Sequence, residues 1–230
     1  MKDLIGQAIY DYYINEDPAD LITETSISEA DVMPVEYFFR EFSAMPEIEQ
    51  VALMNTYGKV LDVGCGAGSH ALYLQNRNIE VVAIDISPLA IKTCALRGVK
   101  NAMVADIMQM EGQFDTILLM MNGTGICGEL ENLTAFLAKL KSLLAPGGQI
   151  LIDSSDIVYM YTDEQEFTRL PEKGYYGELT FYVKYKNQMA EPFPWLYTDF
   201  AMLEKHAHHA GLQAEVLLQG EHYDYLARLY

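Results

Sequence analysis

Val60-Leu61-Asp62-Val63-Gly64-Cys65-Gly66-Ala67-Gly68-Ser69-His70 decides the fold of this 230-residue chain. An apolar strand runs into glycine at three alternate positions, and helical spacing resumes at once. Gly64, Gly66 and Gly68 supply unusual backbone angles and room for main chain to touch a ligand. The free N–H groups of the following helix favour an anionic or hydrogen-bond-accepting group. Taken alone, the turn also reads as a tight strand–helix connection, so its neighbours decide the matter.

Working outward, strand and helix alternate from Lys59. Strands are expected over 60–63, 80–85, 102–106, 114–121 and 149–153, with helices over 69–76, 88–97 and 130–144. The 114–121 run is continuously apolar, as where both faces of a strand are covered. This alternation describes a parallel sheet with helices on both sides. Beyond 153 the rhythm breaks. Leu179, Phe181, Val183 and Tyr185 alternate with Thr180, Tyr182, Lys184 and Lys186, the period of a half-exposed strand. It pairs as a hairpin with 193–197, an arm that Pro192 and Pro194 confine to an edge. A helix over 198–210 and two strands, 214–218 and 223–229, complete the domain. Upstream, 1–57 reads as a helical cap: Ile5, Ala8, Ile9, Tyr12 and Tyr13 recur at helical spacing, 15–31 is an acidic surface loop, and Pro34 and Pro46 open two short helices. The cap, the domain 58–230 and its hairpin at about 175–197 are expected to form one compact unit.

Lys+Arg number 15 against 33 Asp+Glu, a formal net charge of −18. Such a field repels a phosphate backbone and shows no basic cluster, which argues against nucleic acid and against an anionic membrane surface. The first residues lack the apolar core of a leader, and 116–121 is too short to cross a bilayer. Cys65, Cys94 and Cys127 lack CxxC spacing, so neither a disulfide framework nor a zinc site is expected. His206, His208 and His209 sit near a helix C-terminus, where the dipole favours histidine, and no metal site is expected there. The chain reads as a reduced, cytoplasmic protein.

In an open parallel sheet, ligands sit outside the carboxyl ends of the strands, where Asp62, Asp85 and Asp106 fall. Asp85, a strand and a helix beyond the glycines, is placed to grip ribose hydroxyls. A dinucleotide turn, G-x-G-x-x-G, would put its third glycine where Ser69 stands. That departure, with a tail that is not a second βαβαβ half, disfavours a nicotinamide-dependent oxidoreductase. The motifs VLDVGCGAGSHAL (60–72), VVAIDISPLAI (81–91), VADI (104–107), FDTILLMMNG (114–123) and LAPGGQILID (144–153) resemble those of the class I S-adenosylmethionine-dependent methyltransferases. The resemblance spans roughly residues 59–156.

It implies a Rossmann-like, doubly wound seven-stranded sheet with its last strand inserted antiparallel, and methyl transfer to a small-molecule acceptor with S-adenosylhomocysteine as product. It implies that Gly64, Cys65, Gly66 and Gly68 receive the methionine portion of the cofactor, with Asp62 organising the loop. Asp85 would hold the ribose with Ile86 beside the adenine, and Asp106 and the Ile107 backbone would bind the adenine edge. Met121 and Asn122 would face the sulfonium and the substrate. In-line transfer runs on positioning, which supplies roughly 7–11 kcal/mol, so no catalytic triad is required. A cofactor-binding protein without turnover would therefore share all these residues.

Other candidates stand outside those motifs. Asn122-Gly123-Thr124 lacks the prolines of the [DN]-P-P-[YF] motif in amino-methylating enzymes of nucleic acid, a further argument for a small molecule. Asp153, ending a strand, is a candidate general base. Arg40, in an apolar segment, needs an anion: the cofactor carboxylate, Glu36 or Glu41. Tyr10, Tyr12 and Tyr13 with Tyr37, Phe38 and Phe39 form either a lid over the cofactor or a hydrophobic staple, and Tyr13 is the acceptor candidate among them. Trp195, the one tryptophan, either lines an acceptor pocket in the hairpin or packs its edge. The aromatic cap and the hairpin are both candidate surfaces for a homodimer.

Overall fold

The computed structural model of the chain describes residues 2–163, 165 and 167–230. The first helix, α1 (Leu4–Ile14), begins where the Asp3 side chain accepts the Gly6 N–H and ends at left-handed Asn15. The stretch 15–31, expected as a loop, instead carries two strands, β1 (Leu21–Thr25) and β2 (Ser28–Met33). Thr25 closes the turn between them: its hydroxyl accepts the N–H groups of Ile27 and Ser28, a side-chain turn that competes well with other local structure. The cap is thus only partly helical. Pro34 leads into a 3₁₀ turn over 35–39 and Pro46 into α2 (Glu47–Met54).

The alternating body follows as β3 (Val60–Val63), α3 (Ser69–Asn76), β4 (Val81–Asp85), α4 (Pro88–Arg97), β5 (Ala102–Val104), β6 (Phe114–Leu119), α5 (Leu130–Ser142) and β7 (Leu144–Ser155). Next come β8 (Glu178–Tyr185), β9 (Gln188–Met189) and β10 (Phe193–Leu196), then α6 (Phe200–His209), β11 (Ala214–Gln219) and β12 (Asp224–Leu229). The main sheet has seven strands in the order β11-β12-β7-β6-β3-β4-β5. Its strands β3 to β7 pair in parallel, and β12 lies antiparallel between β7 and β11.

Successive side chains of a strand point to opposite faces, and here both faces are buried. Leu61, Ile117 and Ile150 pack with Leu133, Leu137 and Leu140 on one side. Val60, Leu118 and Leu151 pack with Ala71, Leu74 and Cys94 on the other. Each leucine, isoleucine or valine among them contributes about 1.5–3 kcal/mol on burial.

The expected hairpin forms, with β10 on an edge, as its prolines require. The sequence did not disclose its partner. β8 also pairs antiparallel with β1, so the N-terminal segment and the insertion form one accessory sheet, β10-β8-β1-β2, with β9 off β8. Val183 and Tyr185 on its inner face join Leu4, Ala8 and Val35 in a second core. The accessory sheet therefore sits over the carboxyl ends of the main sheet, bound to α1 on one side and to the loop after β6 on the other.

Candidate active site

Strand order reverses at β3, which makes the space beyond β3, β4 and β6 the switch point where a crevice opens. The glycine turn lies there. Gly64 and Cys65 donate to the Ile84 carbonyl, and Gly66 donates to Asp85 at 2.9 Å. Gly64, Gly66 and Gly68 all have positive φ (71°, 52° and 82°), angles that L side chains adopt only with strain.

Asp85 also accepts the Ser87 N–H at 2.9 Å, and burial leads in raising its pKa above the ordinary value, against those two N–H groups. Beside it Ile86 is 73% exposed, an unusual setting for isoleucine and an open apolar platform at the strand end. Asp106 is exposed and accepts the Met108 N–H at 2.9 Å, while Ile107 is buried.

Asp62 is buried at the heart of the site, and its Oδ2 has no partner. Burial raises its pKa to about 6; Asp85 adds to the rise, and His70 opposes it. Arg40 finds neither Glu36 nor Glu41. Its Nη2 donates to Glu49 at 2.6 Å, its guanidinium lies 3.2 Å over the Tyr37 ring, and Nε and Nη1 are buried without partners. The second oxygen of Glu49 is 2.7 Å from His70 Nε2. Burial pulls the His70 pKa down, but Glu49 and Asp62 outweigh it, so His70 stands above the ordinary histidine value. Glu49 and His70 escaped the sequence reading. A signal was present, since an acid on the buried face of an amphipathic helix demands a cation.

At the end of β6 the chain strains. Met121 and Asn122 both take left-handed conformations, φ 66° and 62°, and such non-glycine residues persist where surrounding structure over-determines them, often at functional sites. Asp153 supplies that determination by accepting the N–H groups of Asn122 and Gly123 at 2.9 and 3.0 Å. Burial raises its pKa to about 6 against those two bonds. The Asn122 side chain is engaged as well, accepting from Ser154 and donating to the Leu196 carbonyl. Trp195 packs on Gly125, where a Cβ would collide with its ring.

Tyr13 lies on the last turn of α1. It stacks on Phe39, and its hydroxyl donates to the Leu96 carbonyl at 2.9 Å, near the C-terminal end of α4. Tyr13, expected as a substrate contact, is held by these contacts as a brace of the N-terminal segment. Phe38 is the ring that reaches the turn, 3.5 Å from where a Cβ of Gly66 would stand. Among the described residues no group of three or more His, Cys, Asp or Glu is placed to hold a metal ion.

A parallel sheet with an antiparallel inserted strand, a glycine turn and an acid ending the second strand define a nucleoside-binding α/β protein. A methyltransferase-domain family model matches residues 60–148. A crystal structure of an SAM-dependent methyltransferase from Bacteroides fragilis, in complex with S-adenosyl-L-homocysteine, superposes with a TM-score of 0.93. That alignment is 45% identical and covers 100% of this chain and 94% of the other. Streptomyces venezuelae DesVI shares the fold at a TM-score of 0.55 and 19% identity, over 84% of this chain and 91% of its own. The Arabidopsis thaliana chloroplastic tocopherol O-methyltransferase is 25% identical over 66% of this chain and 44% of its own length. A Xanthomonas euvesicatoria ubiquinone biosynthesis O-methyltransferase is 28% identical over 42% of each. The chain spans less than half the length of these two curated relatives. This chain belongs to the S-adenosylmethionine-dependent methyltransferases.

Proposed function

We propose that the protein transfers a methyl group from S-adenosylmethionine to a small-molecule acceptor. The observation that carries this is the set of orphaned polar atoms beside the glycine turn: a buried acceptor, Asp62 Oδ2, and two buried donors, Arg40 Nε and Nη1. A buried unpaired polar group costs about 1–3 kcal/mol, more if charged. A zwitterionic amino-acid end matches both signs, its ammonium on Asp62 and its carboxylate on Arg40. Glu49, braced by His70, holds the guanidinium in place.

Asp85 would take the ribose hydroxyls on lone pairs left free by Gly66 and Ser87, and exposed Ile86 and Met108 would flank the adenine, with Asp106 and the Ile107 main chain at its edge. Gly64, Cys65, Gly66 and Gly68 leave main chain open to the methionine portion. When bound, S-adenosylmethionine supplies a methyl on a sulfonium: an acceptor lone pair forms the new bond to carbon, the C–S electron pair returns to sulfur, and the acceptor's proton passes to water.

The strained Met121–Asn122 pair borders the transfer point. Asp153 and Asn122, candidates for direct chemistry, are better read as positioning residues, because their polar atoms are already committed to holding this loop. The charge of −18 supports a small molecule rather than nucleic acid. Its odd set of free cysteines supports a reducing, cytoplasmic setting.

Calorimetric titration with S-adenosylhomocysteine tests this. Micromolar binding that Asp85→Ala abolishes is the expected result. No binding to a folded, cofactor-free sample, or equal binding by the variant, refutes the assignment.

A further inference from the structure

A cleft of about 560 Å³ lies between the accessory sheet and the ends of β7 and β12, and Tyr197, which lines it, feels the charge of Asp153, the residue that holds the Met121–Asn122 loop. Among the described residues its lining holds four carboxylates, Glu24, Glu29, Asp31 and Asp224, and no lysine or arginine. Directly opposed residues of antiparallel strands share a face. Asp31 opposes Thr23, and Thr23 opposes Val183, which is buried on the inner face. Asp31 therefore belongs to the face turned toward the main sheet.

Two of the other acids are differently employed, whereas Glu29 has no side-chain partner among the described residues. Glu24 is on the outer face, 3.7 Å from Lys184, and Asp224 accepts the His222 N–H. Asp31 accepts only from its neighbour Val32, and no cation pairs with it among the described residues. Around it the wall is aromatic, with Phe181, Tyr159 and Tyr197. The Tyr197 hydroxyl has no hydrogen-bond partner among the described residues, and burial with Tyr159 and Asp153 nearby raises its pKa to about 12, so it stays a donor. A carboxylate with no lysine or arginine in its cleft, whose one basic side chain is His222, and with aromatic faces beside it selects positive charge. Aromatic faces beside a carboxylate favour an organic cation, and among the described residues no group of three or more His, Cys, Asp or Glu is placed to hold a metal ion.

We propose that this cleft receives the methyl acceptor and that the acceptor is a small molecule with a protonated amine, anchored by Asp31 against the rings of Phe181, Tyr159 and Tyr197. This rests on the methyl-transfer reading above. An ammonium has no lone pair to give, so the nucleophile is another atom of the same molecule, directed past Tyr197 toward Met121 and Asn122.

Three probes of similar shape test the charge: tyramine (cation), 4-ethylphenol (neutral) and 4-hydroxyphenylacetate (anion), each titrated into the full chain with S-adenosylhomocysteine present. Tyramine should bind about tenfold tighter than 4-ethylphenol, as an ion pair with cation–π contact in a partly desolvated cleft provides, and the anion weakest. Asp31→Asn should bring tyramine to the level of 4-ethylphenol and leave 4-ethylphenol and S-adenosylhomocysteine unchanged. The proposal is overturned if the anion binds as well as tyramine, if tyramine does not bind, or if D31N keeps the preference. The wild-type ranking stands without the variant should D31N disturb the sheet edge. Failure of S-adenosylhomocysteine to bind would instead strike the methyl-transfer reading, and the probe ranking can then be measured without it.

Discussion

The buried Asp62 makes cofactor affinity depend on pH in a direction set by its surroundings. In the unliganded protein, burial with Asp85 nearby raises its pKa from 3.8 to about 6, and Oδ2 lacks a partner. A ligand ammonium at that oxygen supplies the opposite charge that favours ionisation. Below about pH 6 the free protein therefore holds a proton that the bound protein releases, so affinity rises as pH rises through about 6. If the ligand restores the ordinary value of 3.8, the full effect is about 3 kcal/mol, near 100-fold. Between pH 7 and pH 5 the expected loss is about tenfold.

The same raised value means that the unliganded fold loses stability as pH rises from 3.8 to about 6, because the folded state binds the extra proton there. The amino-acid end of S-adenosylhomocysteine keeps both charges between about pH 5 and pH 7, so the slope belongs to the protein. Calorimetry at pH 5, 6 and 7, in buffers of different ionisation heat, reads affinity and proton release together. Asp62→Asn should bind more weakly at pH 7 and show no slope. A flat wild-type profile, or an Asp62→Asn variant that keeps the tenfold change, would refute the placement of the ammonium on Asp62.

Two further outcomes follow from the packing. Glu49→Gln removes the charge between Arg40 and His70, both largely buried. Breaking such a pair costs about 3–5 kcal/mol, so denaturant unfolding should show a loss of that order, together with weaker S-adenosylhomocysteine binding; a loss below about 1 kcal/mol would show the network to be solvated. Gly125→Ala drives a methyl into the Trp195 ring, an overpacking worth about 1–3 kcal/mol. Because Trp195 is the sole tryptophan, its emission should shift to longer wavelength, and an unchanged spectrum would mean that the ring does not sit on Gly125.

The elements legible in the sequence are those whose cause is local. The glycine turn, Pro46 before α2, Gly98 closing α4 and the alternation of β8 each need only neighbouring residues to be read. β1 and β2 were hidden because their warrant is distant: Leu21 and Thr23 look like an acidic loop until Tyr185 and Val183 lie across from them, some 160 positions along the chain. The same distance hid the ion network, since Arg40, Glu49 and His70 come from a 3₁₀ turn's end, α2 and α3. Asp153 and Asn122 were expected to end their strands; β7 runs on to Ser155 and β6 stops at Leu119, and their hydrogen bonds to each other's loop, invisible in one dimension, turn them from free reagents into supports. This division has a functional reason. The cofactor is met by one local motif and its adjacent strands, so its site can be read from sequence. The cleft that we assign to the acceptor is walled by β1, β2 and β8 against β7 and β12, strands drawn from across the chain. Its charge can be changed at Asp31 without touching any glycine, which is why a chain can declare its donor plainly and keep its acceptor in the tertiary fold.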